Sequence, residues 1–236
     1  MEQQPRTLRL VSPFMEGPDV ADVQRLLGVD ADGEFGPITA GAVTAWKRTR
    51  GDDDPTNVLS VDDQERLEAD VPLRAVRLME QWATSGFRED PPRSNRVPPL
   101  IALAERQEVA GAYSGMGYPW CAFAAFLAAL GAGGQSATSG LRERRFNPLY
   151  TPTILDEARA GEFGLRIVPP AEAFRGDLVL FDWDFNAGDP TDHVARLAHA
   201  PVDGRVRTVD GNSGVDGAVE PRDRAIGSVR AFARDS

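Results

Sequence analysis

The chain has 236 residues, 42% of them hydrophobic and 26% charged, which is the balance of a globular protein with one large domain or two small ones. Its formal net charge of −10 argues against nucleic acid or an anionic membrane surface as the main partner, because few cations are free to neutralise phosphates. The single cysteine, Cys121, excludes an internal disulfide.

The N-terminus and the apolar segments bear on where the protein is made. The first ten residues lack a basic segment followed by an apolar run, so we expect synthesis in the cytoplasm without a signal peptide. The longest apolar stretch, after Cys121, is interrupted by Gly131 and Gly133, which predicts no membrane span and no membrane partner. We also expect a monomer.

Residues 8–70 predict three short helices. The first begins at Asp19, with an apolar face that ends at Leu27; Thr39 is expected to cap the second. Ser60, with Asp63 three residues later, forms a capping-box pattern for the third. We therefore predict a small helical N-terminal domain over residues 1–70.

This N-terminal pattern resembles the three-helix peptidoglycan-binding domain. The resemblance rests on Asp19-Val-Ala-Asp-Val-Gln-Arg-Leu-Leu27, on Asp32-Gly-Glu-Phe-Gly-Pro-Ile-Thr-Ala-Gly-Ala-Val43 and on the aromatic Trp46. It implies bacterial peptidoglycan as the partner. The chain departs from the family at Gly51-Asp-Asp-Asp-Pro55, so a helical docking module without glycan affinity is the alternative.

Residues 71–99 are predicted to be a helix followed by a Pro-rich linker. Leu73, Val76, Met79 and Trp82 have helical spacing, and the pattern leaves open whether this helix connects two domains or packs on one of them. Four prolines then occur between Asp90 and Pro99, a density that excludes both a helix and a central strand.

Residues 100–236 predict an α+β domain with helices packed on an antiparallel sheet. Three helices are expected: one from Leu100 to about Val109, one that begins at Cys121, and one that ends near Gly161. Thr151 is expected to cap the third, with Pro152 in its first turn. The Asp203-Gly204 pair predicts a hairpin turn. The predicted strands are Leu178–Phe181, His193–Ala198, Val206–Asp210 and Ile226–Ala233.

Cys121 is the candidate nucleophile. It begins a helix, where free N–H groups lower the pKa of a thiol; the alternative is a buried core cysteine. His193 is the candidate base on the facing sheet. Asp210 is expected to orient the ring, and Asn212, two residues further on what would be the same strand face, could assist or substitute.

The second half resembles the CHAP family of cysteine- and histidine-dependent amidohydrolases and peptidases, which cut peptidoglycan. The matching runs are Tyr118-Pro-Trp-Cys-Ala122, Gly176-Asp-Leu-Val-Leu-Phe181, Asp192-His-Val194 and Thr208-Val-Asp-Gly-Asn-Ser-Gly214. The resemblance implies a papain-like fold, Cys121 as nucleophile, His193 as general base and then acid, and Asp210 as orienting acid. We assign substrate contacts to Tyr118, Trp120 and Trp183, and expect no cofactor.

Two further features are assigned no chemistry. His199 is expected to be structural or exposed, because it lies well along the strand from His193. The acidic loop between Asp182 and Asp192 invites a calcium interpretation, but its spacing does not fit an EF-hand, so we predict no metal there.

Together these expectations describe a peptidoglycan hydrolase, either an N-acetylmuramoyl-L-alanine amidase or a peptide endopeptidase. A cytoplasmic product that acts on the cell wall needs assisted release, as for a phage or prophage endolysin. One alternative is a non-catalytic wall-binding or virion structural protein that retains the fold. Another is a thiol hydrolase acting on small amides or on protein glutamine.

Overall fold

The computed structural model describes residues 5–53, 55–109, 118–184 and 191–236. Its helices and its single antiparallel sheet confirm the predicted α+β class. The helices are α1 (Pro18–Leu27), α2 (Pro37–Thr49), α3 (Val61–Ala69), α4 (Val71–Thr84), α5 (Pro98–Arg106), α6 (Cys121–Gly131), α7 (Gln135–Ala137, continued by a π-turn at Thr138–Arg142) and α8 (Thr151–Ala160). The strands are β1 (Arg166–Val168), β2 (Leu178–Phe181), β3 (His193–Leu197), β4 (Arg205–Ser213), β5 (Ala218–Ala225) and β6 (Val229–Arg234).

Helices α1–α3 enclose an apolar core of their own, built around Phe35 and Trp46. The capping box of α3 is confirmed, because Ser60 and Asp63 exchange hydrogen bonds at its first turn. Thr39 does not cap α2. It lies inside the helix, and its buried hydroxyl accepts a hydrogen bond from Gln24 at 2.9 Å.

The residues of the Asp-Gly-x-Phe-Gly-Pro motif, 32–37, stabilise the loop between α1 and α2. Gln24, buried in α1, donates to the Asp32 carboxylate at 2.8 Å and to the backbone carbonyl of Glu34 at 3.0 Å, and accepts from the N–H of Gly33. Phe35 is fully buried beneath the loop. These residues therefore have structural partners inside the module, whatever the module binds.

Helix α4 confirms the helix predicted from residue 71 and packs on the body of the protein, one of the two arrangements that the sequence left open. Its apolar face, including Met79 and Trp82, lies in the same core as α6. Its first turn packs so closely on the turn before β2 that a Cβ at Gly176 would lie 2.3 Å from the backbone of Pro72. Leu73 joins the N-terminal core, so α4 is shared by both halves.

The segment after α4 is also attached to the body. The N–H of Val219 donates to the carbonyl of Phe87, and the N–H of Glu89 donates to the carbonyl of Gly217, both at 2.8 Å. Pro91 and Pro92 lie in a segment without regular structure, as predicted, but Pro98 and Pro99 form the first turn of α5, so the prediction that excluded a helix as far as Pro99 is wrong there. Residues 71–97 are thus a helix followed by a loop that is hydrogen-bonded to β5 and its preceding turn, and α5 begins at Pro98.

The sheet has the strand order β1-β6-β2-β3-β4-β5, and every neighbouring pair is antiparallel. The hairpin turn at Asp203-Gly204 is confirmed, with both residues at positive φ. Strands β1 and β5 were not predicted. Strand β5 contains Pro221 and alternating charges, a composition tolerated because β5 lies at the edge of the sheet.

Helix α6 is the central element of the larger core. Its ten residues from 121 to 130 are buried, and they pack on the sheet face that carries Leu180, Val194 and Val209. No single helix in the described ranges is long and apolar enough to cross a membrane. The bent pair Cys121–Gly131 and Gln135–Arg142 passes by length and composition alone.

Candidate active site

Cys121 is the first residue of α6, as predicted, and only 5% of it is exposed. The backbone N–H groups of Ala122 and Val194 and the ring of His193 all hydrogen-bond to its sulfur. Burial alone would raise the pKa of the thiol. These contacts, with the positive charge on His193, outweigh burial and lower the pKa of Cys121 below its ordinary value of 9.

Trp120, the residue before Cys121, is directed into the core and away from the surface. Trp120 was predicted to bind substrate, but its side chain is fully buried and its indole N–H donates to the carboxylate of Glu89 at 3.0 Å. Its ring also faces β4, where a Cβ at Gly211 would lie 3.0 Å from the ring and 2.6 Å from Ala124. The prediction that Trp120 contacts substrate is therefore wrong, and Trp120 is a core residue that packs behind the site.

His193 is the first residue of β3 and pairs with Phe181 of β2. The chain just before it is held at two points. The N–H of Asp192 donates to the carbonyl of Phe181 at 2.8 Å, and the hydroxyl of Thr151 donates to the carbonyl of Thr191 at 2.7 Å. Thr151 therefore does not cap α8 but anchors α8 to the approach to His193.

The ring of His193 joins the thiol to a carboxylate. Its Nε2 lies 2.6 Å from Oδ2 of Asp210, and its side chain also hydrogen-bonds to Cys121. Burial opposes protonation of the ring, but the two anionic neighbours overcome it and raise the pKa of His193 to about 9. The arrangement favours a thiolate facing an imidazolium at neutral pH.

Asp210 is completely buried and has three side-chain partners. Thr208 donates its hydroxyl to Oδ1 at 2.5 Å, while Oδ2 is shared between His193 and the guanidinium of Arg224, whose Nη2 lies 2.7 Å away. Burial would raise the pKa of the carboxyl, but His193 and then Arg224 and Thr208 hold the pKa of Asp210 below its usual value. The carboxylate is thus ionised and fixed.

Asn212 does not join this group. The register of β4 against β5 shifts between Asp210 and Ser213, and Asn212 has a φ of +55°. This bulge breaks the alternation that the same-face argument assumed, so that argument is wrong. Within the described part of the chain, no hydrogen bond joins Asn212 to His193.

Trp183 presents an exposed aromatic surface beside the ring of His193. It is 47% exposed, stacks on Phe181 with ring centroids 4.9 Å apart, and lies 6.0 Å from the ring of His193. Tyr118 is half-buried, three residues before Cys121. Both positions are compatible with the predicted substrate contacts, which stay predictions.

The acidic loop brings three carboxylates together. Carboxylate oxygens of Asp182, Asp184 and Asp192 lie within 4.8 Å of one another, and Asp192 also accepts a hydrogen bond from the backbone N–H of Trp183 at 2.5 Å. Asn186 and Asp189 of this loop lie outside the described residues. Clustered carboxylates alone do not identify a metal, so the prediction of none stands untested.

His199 lies away from the site, at the junction of the two halves. It is within reach of the backbone of Gly28 in the N-terminal module, and burial and the charge of Arg175 lower its pKa. His199 is exposed, which agrees with the prediction of a structural or exposed residue.

Sequence reasoning missed Arg224, Thr208 and Glu89. Thr208 alternates with Asp210 along β4, a signal that was available from the sequence. The contact of Arg224 depends on the register of an unpredicted edge strand, and that of Glu89 on a loop predicted to be a linker.

Compared with known proteins, the chain matches no protein-family model, no curated protein and no solved structure.

Proposed function

We propose that this protein is a peptidoglycan hydrolase that cleaves an amide bond with Cys121 as its nucleophile. The observation that carries the proposal is the continuous hydrogen-bonded series from the sulfur of Cys121 through His193 to the buried carboxylate of Asp210. A nucleophile, a base and an orienting acid in this order are the requirements for acyl transfer through a covalent intermediate.

The chemistry follows from the charge states of these groups. The thiolate of Cys121 attacks the amide carbonyl carbon, forming a C–S bond and an oxyanion. The oxyanion then collapses, the C–N bond breaks, and the His193 imidazolium gives its proton to the leaving amine. The neutral ring next takes a proton from water, whose oxygen attacks the thioester; the thiolate leaves, and the carboxylic acid product is released.

Two features of the site support this sequence of steps. The backbone N–H of Cys121 lies at the start of α6, where the helix dipole favours negative charge, so it is suited to bind the oxyanion. Asp210 stays ionised throughout and stabilises the imidazolium that the first half-reaction consumes.

The substrate class is supported by the sequence motifs of both halves. The runs around Cys121, His193 and Asp210 resemble those of the CHAP family, and the N-terminal run resembles a peptidoglycan-binding domain. A wall-binding module joined to a thiol hydrolase suits an insoluble substrate, because tethering raises the local concentration of scissile bonds. We propose an amidase or endopeptidase of the endolysin kind.

The test is digestion of purified sacculi by the full chain, followed by turbidity and by mass spectrometry of the released muropeptides. We expect turbidity to fall and one type of amide bond to be cleaved. Cys121→Ser, which removes little volume, should lose about 10³-fold or more of the activity with an unchanged circular dichroism spectrum.

Two results would contradict the proposal. Sacculi that stay intact while Cys121 reacts readily with iodoacetamide would indicate a thiol hydrolase with another substrate. Slow alkylation, equal to that of a free thiol, would favour the non-catalytic wall-binding or virion structural alternative.

A further inference from the structure

Arg224 is a cation built into the wall of the thiol site. Its Nη2 lies 2.7 Å from Oδ2 of Asp210, and its Nη1 donates to the hydroxyl of Thr208 at 3.1 Å. The guanidinium also lies over the rings of Phe181 and Trp183, at 5.0 and 5.5 Å from their centroids. Only 20% of its side chain is exposed, so its position is fixed by contacts on several sides.

The charges of the site balance only when Arg224 is counted. In the reactive state the thiolate of Cys121, the imidazolium of His193 and the carboxylate of Asp210 sum to one net negative charge. A buried net charge is costly, since little solvent is present to stabilise it. The guanidinium of Arg224 brings the sum to zero.

Arg224 contributes charge more than it holds the carboxylate in place. Thr208 already fixes Oδ1 of Asp210 with a hydrogen bond of 2.5 Å. At Oδ2, by contrast, Arg224 and His193 meet at a single oxygen atom, each within 2.7 Å of it. Two cations that share one oxygen repel each other and divide the stabilisation that it provides.

We infer that Arg224 acts on the thiol site through Asp210, by limiting how strongly this carboxylate stabilises the His193 imidazolium. The limit matters because the ring has to be protonated in the first half-reaction and neutral in the second. Without Arg224, the ring would keep its proton to higher pH and the thioester would be hydrolysed more slowly. The inference rests on the thiol chemistry proposed for Cys121.

Other charged groups also face this part of the site, and they have to be kept constant. Cys121 faces the ring from α6, and the ion pair between Glu220 and Arg222 lies next to Arg224 on β5. The carboxylates of the acidic loop lie on the side of Trp183; they are Asp182, Asp184 and Asp192.

The test is an NMR titration of the histidine rings in the full chain. Only two histidines are present, so His199→Asn assigns both ring signals. Arg224→Gln should move the midpoint of the His193 titration upward by about two pH units, the size expected when a cation some 5 Å away is removed at an effective dielectric constant near 20. If Arg224 merely held Asp210 in place, its loss would loosen the carboxylate and move the midpoint downward.

Arg222→Gln is the matched control, because it removes the same charge from the neighbouring position on the same strand face. Arg222 is paired with Glu220 and Ser213 rather than with Asp210. Its loss should leave the His193 midpoint within about 0.3 units of the parent, as expected for a more solvated charge. Arg224→Lys, which keeps the charge, should stay within about half a unit and covers the case in which Arg224→Gln does not fold.

Several results would overturn the inference: a downward or unchanged midpoint in Arg224→Gln, an equal shift in Arg222→Gln, or a large shift in Arg224→Lys. The titration needs no substrate. A protein that fails to digest sacculi but shows the expected midpoints would therefore refute the proposed substrate and leave the role of Arg224 intact.

Discussion

The two ends of the central strands both bury charged groups, but they do so in different ways. At one end, Arg196 and Asp235 form a pair with both side chains fully buried, and Arg234 holds the buried Asp177. At the other end, the buried carboxylate of Asp210 is shared between two cations beside a thiol.

The charges around Arg196 stabilise the fold, whereas those around Asp210 are the ones that we propose to take part in the reaction. Arg196 is fully satisfied, since it also donates to the carbonyls of Ala125 and Gly176, and no proton needs to move. At the site of Cys121, by contrast, hydrogen bonds and neighbouring charges outweigh burial, so that the pKa of the thiol is lowered and the pKa of the His193 ring is raised. Substitutions at the first end should change stability alone, and those at the second should change reactivity.

The largest effect is expected at His193. His193→Ala removes the group that we propose to activate Cys121 and to protonate the leaving amine, so hydrolysis of sacculi should fall by about 10³-fold or more. His199→Asn is the control, because His199 lies at the junction of the halves, and it should retain nearly full activity. Inactivation by His199→Asn instead would show that the reaction does not depend on the group around His193.

The next effect is on stability, at the opposite end. Asp235→Ala leaves the charge of Arg196 buried without its partner, and should lower the free energy of unfolding by about 3–5 kcal/mol. Asp223→Ala removes an exposed partner of Arg205 and should cost about 1 kcal/mol or less. Urea denaturation measures both, and equal losses would show that burial does not distinguish these pairs.

Asp210 and Asn212 sharpen the comparison within β4. Asp210→Asn keeps a hydrogen-bonding group but cannot stabilise the imidazolium, so activity should fall by about 10–10³-fold, less than the ~10⁴-fold of the serine-protease template because the thiolate is partly pre-formed. Asn212→Ala should change activity less than about threefold, on the same scale. A larger loss from Asn212→Ala would return the orienting role to Asn212.

The smallest effect is in the pH dependence of alkylation. The lowered pKa of Cys121 keeps the thiolate present below pH 9, and the ring opposite stays protonated up to about pH 9. The rate with iodoacetamide should therefore rise less steeply from pH 6 to 8 than the rate of a free thiol, which rises about tenfold per unit. His193→Ala should restore the steep rise, and a steep rise in the parent would remove the evidence for an ion pair.

The parts of the fold that were predictable from the sequence are those set by nearby residues. The capping box at Ser60, the turn at Asp203-Gly204 and the start of α6 at Cys121 each depend on a few neighbouring positions. The roles of Trp120 and Arg224 depend instead on contacts with residues far along the chain, Glu89 and Asp210. Asn212 lies in a β-bulge, which no pattern of neighbouring residues predicted, and so it does not share the strand face of Asp210 as expected.

The edge position of β5 also bears on self-association. An edge strand with free N–H and C=O groups is a template on which another chain can pair. Pro221 removes one donor from β5, and the charges of Glu220, Arg222, Asp223 and Arg224 resist a second apolar strand. The strand that supplies a cation to the thiol site therefore also protects the sheet against edge-to-edge aggregation.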